Sequence, residues 1–338
     1  MSGIRNQWYV ASAASRLGHK PRAARVLDLE LVLFRDSDGN AHALLDRCPH
    51  RGVKLSLGRM TEGSLACGYH GWRFDGTGSC VHIPSLVRGQ RIAAGCSVPA
   101  FRTFEQDGYI WIWVGDSDPI PDRPSRIADF DRMRWLQGSV DMKCDALKFI
   151  ENNFDWCHVP FAHIDAHPVS RLKKKLGLYD QQYEMRVSER GLDVFAPVTN
   201  SESDPIPRLP TVRLSYEVPN RLTVELDAGK RSLIVMHVVP ISANTCRLEW
   251  LYGPNPVPLL RRHVTWWSRE PTVIREDRLL LESSQPWYDR EPEQPFERSV
   301  AADASTLMVR RIYDMVLAGT WGQKWTSLPK RRLVDVRA

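Results

Sequence analysis

The spacing of apolar side chains divides the chain into two unlike parts. Up to about residue 118 the apolar runs are short and separated by turn formers. Residues 26–34 and 41–45 flank Asp36-Ser-Asp-Gly39, the pattern of two strands joined by a hairpin. Glycines recur at 58, 63, 68, 71, 76 and 78, and Tyr109-Ile-Trp-Ile-Trp-Val114 follows as one buried strand. A small all-β module is expected here. Asp118-Pro-Ile-Pro-Asp-Arg-Pro124 then places three prolines in seven residues, so domains are expected at 1–118 and 119–338.

Beyond the prolines the pattern changes. Residues 145–158 contain neither Gly nor Pro and read as a helix. Val212, Leu214 and Tyr216, then Leu222, Val224 and Leu226, alternate with polar positions, with turns at Pro219-Asn220 and Gly229-Lys230. That is an antiparallel meander running over 211–253. Residues 258–284 read as helix, broken near Pro271. Strands followed by helices give an α+β second domain.

Composition narrows the class. Of the 338 residues 43% are apolar and 25% charged, which excludes disorder, collagen-like repeats and coiled coil. No apolar stretch approaches the roughly 20 residues of a membrane span, and no membrane association is expected. The net charge of +6 is spread out, and Lys173-Lys174-Lys175 and Lys330-Arg331-Arg332 read as solvated faces, so nucleic acid is not an expected partner. The N-terminus has no signal-peptide apolar region, and a cytoplasmic location is expected. Seven irregularly spaced cysteines make a poor disulfide framework, and in a reducing compartment those near histidines point to metal.

Cys48-Pro-His50 and Cys67-Gly-Tyr-His70 supply two thiolates and two imidazoles from two loops. Such a set holds either one tetrahedral zinc or a [2Fe–2S] centre with two cysteines on one iron and two histidines on the other. Neighbouring glycines favour the cluster, because they let backbone N–H groups approach the sulfurs. Cys48-Pro-His-Arg-Gly52 and Cys67-Gly-Tyr-His-Gly-Trp72 resemble the two cluster-binding loops of Rieske proteins of the oxygenase type. The other cysteines, at 80, 96, 144, 157 and 246, read as buried small hydrophobes.

The second domain contains Asn152-Asn-Phe-Asp155-Trp-Cys-His158-Val-Pro-Phe-Ala-His163. Asp155 is expected one helical turn before His158, with Pro160 stopping the helix so that His163 comes from the following turn. Two histidines need a carboxylate to complete a facial iron site. Asp277 falls among Val273, Ile274, Leu280 and Leu281 on an apolar helical stripe, where an unpaired carboxylate is costly, whereas Glu276 and Glu282 are expected nearer solvent. His158, His163 and Asp277 are therefore the expected ligands of a mononuclear Fe(II).

The resemblance spans nearly the whole chain and implies a Rieske non-haem iron oxygenase: an N-terminal all-β [2Fe–2S] domain followed by a helix-grip catalytic domain. By length the chain resembles the homotrimeric monooxygenase group that includes vanillate and dicamba O-demethylases, caffeine N-demethylases and saxitoxin-pathway hydroxylases. The resemblance implies head-to-tail subunits, with Asp155 bridging His70 of one chain and His158 of the next, and Asn152 near the iron. It also implies O2 as co-substrate, electrons from NAD(P)H through a separate ferredoxin or flavin reductase, and a small organic substrate hydroxylated at a C–H bond, with O- or N-demethylation as one outcome. His237 sits where related demethylases place a substrate-contacting histidine. Phe161, Trp266 and Trp267 are expected as core or pocket wall, and 167–179 as an entrance loop. A basic surface of Arg47, Arg51, Lys54, Arg59 and Arg73 near the cluster loops is suited to an acidic electron donor. Two other readings stand beside this one: a cis-dihydroxylating dioxygenase and a cluster-only electron carrier.

Overall fold

The computed structural model describes residues 3–116, 123–163, 180–196, 211–227, 231–253, 270–290 and 296–337. Residues 118–122 of the proline-rich divide, the lysines at 173–175, the expected entrance loop, the turn at 229–230, Trp266 and Trp267 lie outside them. The chain forms two compact units, Met1–Asp131 and Arg132–Ala338. No helix among the described residues is long and apolar enough to cross a membrane.

The first unit is built from β1 (Gln7–Ala13), β2 (Arg22–Val26), β3 (Leu29–Arg35), β4 (Ala41–Leu45), β5 (Arg59–Thr61), β6 (Ser64–Ala66), β7 (Arg73–Phe74), β8 (Cys80–His82), β9 (Ala100–Phe101), β10 (Thr103–Gln106) and β11 (Tyr109–Val114). They form three antiparallel sheets in the orders β1-β11-β10, β2-β3-β4-β9 and β5-β6-β7-β8. The Tyr109–Val114 run is buried along its whole length because it is the central strand of the first sheet. The apolar run 26–34 is two strands rather than one. Leu27 and Asp28 both adopt left-handed backbone angles (φ 49° and 62°), and this two-residue turn pairs Val26 with Leu29. The expected hairpin at Asp36 is present: the Gly39 N–H donates to the Asp36 carbonyl at 3.1 Å, and β3 pairs with β4. Val32, Phe34, Leu44, Leu55, Leu65, Phe74 and Val98 pack into one core together with Cys48 and Cys67. The two cysteines are thus anchored in a core of the module, while the rest of each loop turns outward.

The second unit carries one antiparallel sheet in the order β12-β18-β17-β16-β15-β14-β13-β19. Its strands are β12 (Leu136–Met142), β13 (Asp180–Ser188), β14 (Gly191–Ala196), β15 (Thr211–Glu217), β16 (Arg221–Asp227), β17 (Arg231–Ser242), β18 (Thr245–Gly253) and β19 (Arg331–Arg337). The expected meander is β15 to β18, extended by β14 and β13 and edged by β12 and β19. Among the described residues its α-helices are α1 (Ala146–Asn153), α2 (Val159–Ala162), α3 (Thr272–Arg290), α4 (Ala304–Leu317) and α5 (Trp321–Lys324).

Strand pairing places Met185, Val194, Leu214, Val224, Ile234 and Tyr252 on one face, with Tyr183, Tyr216, Met236 and Trp250 on neighbouring rows of it. The end of α1 and the start of α4 lie over this face. The Tyr183 hydroxyl donates to the Ala302 carbonyl at 3.0 Å just before α4, and the Phe154 ring after α1 meets Tyr216 at 6.5 Å. The opposite face carries Glu184, Arg186, Asp193, Arg213, Glu225, His237 and Glu249.

A charge network ties the helices together. Arg310 of α4 grips Glu151 of α1 through two hydrogen bonds, of 2.6 and 2.8 Å, and donates to Glu297 at 2.6 Å. Lys148 of α1 donates to the same Glu297 at 2.9 Å.

The expected helix 145–158 is shorter than its composition implies. Asp145 caps its start, accepting the Leu147 N–H at 2.6 Å, and the helix ends at Asn153. The Asp155 carboxylate then accepts the Cys157 N–H at 2.9 Å, a local turn that competes with the helical ladder. Pro160 does not stop a helix. It sits in the first turn of α2, where its missing N–H costs nothing.

Candidate metal centres

The two cysteine hooks have the same backbone construction. In the first, the Cys48 N–H donates to Val53 O at 2.8 Å and the Gly52 N–H to Cys48 O at 2.9 Å. In the second, the Cys67 N–H donates to Trp72 O at 2.8 Å and the Gly71 N–H to Cys67 O at 3.1 Å. Each turn closes only because its glycine takes a left-handed φ, 72° at Gly52 and 71° at Gly71. His50 and His70 leave these turns side by side, with ring centroids 4.4 Å apart, and Trp72 stacks on His50 at 4.7 Å.

The donors segregate by depth. Both thiols are buried, His50 is half-buried and His70 is exposed. Burial pushes the Cys48 thiol up to about 11, against the pull of the His50 and Arg51 backbone N–H groups that point at its sulfur. A thiol in that position becomes a ligating thiolate only beside a cation, and the N–H groups are placed to stabilise it. His50 Nδ1 is buried without a hydrogen-bond partner. A sulfur end in the core and an imidazole end at the surface fit a two-iron centre with unlike ligands.

The second set gathers residues that are far apart in sequence. His158 immediately precedes α2, His163 immediately follows it, and Asp277 comes from the buried side of α3. His158 Nε2 lies 3.2 Å from His163 Nε2, and Asp277 Oδ1 lies 3.5 Å from the first and 3.1 Å from the second. The outer nitrogens are already engaged. His158 Nδ1 bonds the Asp155 backbone carbonyl at 2.5 Å, and His163 Nδ1 bonds Glu276 Oε2 at 2.9 Å. With the proton on Nδ1, each ring turns a bare lone pair toward the other and toward a carboxylate oxygen. Asp277 Oδ1, close as it is, has no hydrogen-bond partner. Three acceptors facing one another with no proton between them fit a cation.

The distances also set the arrangement. Donors about 2.1 Å from one ion at right angles stand about 3.0 Å apart, and a pair on opposite sides about 4.2 Å apart. All three separations are near the first value, so the set is facial. Without an ion, burial raises the Asp277 pKa, but the two imidazoles outweigh it and hold the carboxyl below its ordinary value. Burial lowers the His163 pKa, but Asp277 and Glu276 outweigh it and the net shift is upward.

Several expectations need correction. Asp277 is buried at 6% exposure, but its neighbours on that face of α3 are Ile274 and Gln285, whereas Leu280 is 52% exposed. Glu276 does not face solvent freely, since its carboxylate is the partner of His163. A second acidic residue beside the ligand was the one available sign of this. The Asp155 carboxylate is not bonded to His158: its Oδ2 lies 3.9 Å from Nδ1, and the backbone carbonyl makes the bond instead. Asn152 contributes its backbone carbonyl, which accepts the Asp155 N–H at 3.2 Å. His237 is 1% exposed and sits on the sheet face opposite the one that α1 and α4 meet, between Arg221 and Glu249. Burial together with Arg221 pushes its pKa down to about 3. Phe161 of α2 is exposed and not part of the core. Near the cluster hooks, Lys54 pairs with Glu30 and Arg73 with Glu62. Arg47, Arg51 and Arg59 are exposed and have no ion pair among the described residues.

Comparison with known proteins agrees with this geometry. Residues 7–102 match the Rieske [2Fe-2S] domain, and residues 142–319 match the vanillate O-demethylase oxygenase C-terminal domain. The chain is 42% identical to the dicamba O-demethylase oxygenase component of Stenotrophomonas maltophilia over 48% of each sequence, so the match spans about half the length of that relative. It is 30% identical to the 4beta-methylsterol monooxygenase of Methylococcus capsulatus, over 87% of this chain and 84% of the relative. The crystal structure of dicamba monooxygenase bound to dicamba superposes with a TM-score of 0.75 at 24% identity, covering 94% of this chain and 98% of that one. An all-β Rieske domain, an α+β domain with a helix-covered antiparallel sheet, and these family matches in the same order make the chain a member of the Rieske non-haem iron oxygenases.

Proposed function

We propose that the chain is the oxygenase component of a monooxygenase system that hydroxylates a C–H bond of a small aromatic, polycyclic or alkaloid substrate with O2. Electrons come from NAD(P)H through a separate ferredoxin or flavin reductase. Where the carbon attacked bears an ether or amine, the hydroxylated product collapses to an aldehyde and the outcome is O- or N-demethylation. The observation that carries this is the facial set of His158, His163 and Asp277 on a chain that also holds Cys48, His50, Cys67 and His70 for a cluster. A ferrous ion bound by the triad supplies oxygen activation, with electrons drawn from the [2Fe–2S] centre.

The chain's own residues do the rest. Asp277 would neutralise part of the ion's charge inside a buried site, and the two imidazoles would hold it as neutral donors. His70 is exposed, and the Asp155 side chain, which lies beside His158 at the other centre, is partly exposed. Both are therefore available to a contact between copies, and we place Asp155 of one subunit against His70 of the next in a homotrimer. The relatives' names support this reaction class, and they include monooxygenase and demethylase components.

The experiment is a panel of methoxy-aromatics, N-methyl compounds, steroids and alkaloids with a surrogate reductase and NADH under labelled oxygen. Hydroxylated or demethylated product carrying one labelled atom, with formaldehyde where a methyl group is lost, is expected. A cis-diol carrying both atoms would assign the dihydroxylating reaction instead.

A further inference from the structure

The inference rests on the reading of His158, His163 and Asp277 as ferrous-iron ligands. We propose that Glu276 is a positioning residue for that centre, holding the His163 ring by its outer nitrogen and so setting the aim and donor strength of its inner one. The two imidazoles are not held alike. His158 Nδ1 bonds a neutral backbone carbonyl at 2.5 Å, whereas His163 Nδ1 bonds a carboxylate at 2.9 Å.

Glu276 and Asp277 are successive residues of α3, so their side chains leave the helix about 100° apart. They reach the same ring from two sides: Asp277 Oδ1 stands 3.1 Å from Nε2 while Glu276 Oε2 stands at Nδ1. One imidazole is thereby clamped between two consecutive carboxylates of one helix. This fixes Nδ1–H as the donor and leaves the Nε2 lone pair for metal. It also locks the end of α2 to α3, two segments separated by more than a hundred residues, at the separation the triad needs. A charged partner makes His163 a stronger donor than His158, so the centre has one firm and one softer imidazole.

The test uses full-length protein stripped of mononuclear iron but retaining its cluster. Anaerobic Fe(II) titration in competition with a chromophoric chelator is expected to show binding weakened about 10–100-fold in Glu276→Ala. Glu276→Gln keeps an acceptor for Nδ1–H without the charge, and its affinity is expected between the two. The visible absorption of Co(II) placed in the site should shift in the alanine variant, while the melting temperature of the iron-free protein stays with the parent. Asp277→Ala is the control for the underlying reading. If it loses Fe(II) binding while Glu276→Ala binds as tightly as the parent, the positioning role is wrong and the triad stands. If Asp277→Ala binds as tightly as the parent, the triad itself is wrong. If both Glu276 variants are equally weak and the iron-free protein also melts early, the residue is structural only and the proposal is overturned.

Discussion

At the scale of single residues, the centre is decided by which nitrogen of each imidazole is occupied. Asp155 and Glu276 take the outer nitrogens, and Asp277 shares the space between the inner ones. Asp155 divides its labour: its carbonyl holds His158, and its carboxylate caps a turn through Cys157 while remaining partly exposed. Asp155→Asn should therefore leave the His158 bond intact and load both metals, because the carbonyl is unchanged. Loss of the charge at the proposed subunit contact should slow oxidation of a pre-reduced cluster by O2 and substrate about 10–100-fold. Stopped-flow absorbance would measure it, and parent-like kinetics in a fully loaded variant would exclude the carboxylate from the electron path. The hooks, the two histidines and Asp277 were legible in the sequence because their chemistry is expensive or conspicuous: a carboxylate on a buried helix face needs a partner. Glu276 was not, because helical spacing alone does not reveal where a carboxylate one step from a ligand turns. The role of His237 was not legible either, because which face a strand residue occupies depends on pairing parity, and a shift of one residue reverses it.

At the scale of elements, type was legible and extent was not. The meander, the hairpin at Asp36 and the central strand at 109–114 follow from alternation and from turn residues. The strand break at Leu27-Asp28 and the helix end at Asn153 follow from local hydrogen bonding and backbone angles that composition does not show. What holds α1 to α4 is ionic as well as apolar, and it should show in acid. Burial raises the Glu297 pKa, but its bonds from Arg310, Tyr288 and Lys148 outweigh this and hold the carboxyl at about 2. A depressed folded-state pKa adds stability that is fully present above the ordinary value near 4.5 and is lost as pH falls toward 2. Glu297→Gln should therefore cost about 2 kcal/mol at neutral pH, allowing for solvent screening at a partly exposed side chain. Denaturant unfolding should show that difference shrinking to nothing between pH 5 and pH 2. A difference that did not change with pH would mean that packing, not charge, is what the substitution removes.

At the scale of the whole molecule, two chemically unlike centres share one chain, and each is tied to the fold differently. The cluster hooks hang from a core of a small β module, with sulfur inward and imidazole outward. The triad joins the two ends of a four-residue helix to the second turn of a long one, so it exists only when the second unit is folded. The order of the two units was legible from the sequence, because the change from short strands to a meander and helices is a change of period. The three exposed arginines beside the hooks, Arg47, Arg51 and Arg59, are the part of the expected basic surface that internal ion pairs leave available to a donor protein. The central claim is that both centres are metal sites of one oxygenase, and metal stoichiometry reads it directly. Iron and acid-labile sulfide should be measured on protein purified without oxygen, beside Asp277→Ala. The account predicts about three irons per two sulfides in the parent and about two per two in the variant, with the same reduced-cluster resonance in both. Two irons per two sulfides in the parent after anaerobic reconstitution with Fe(II), or no sulfide at all, would contradict it.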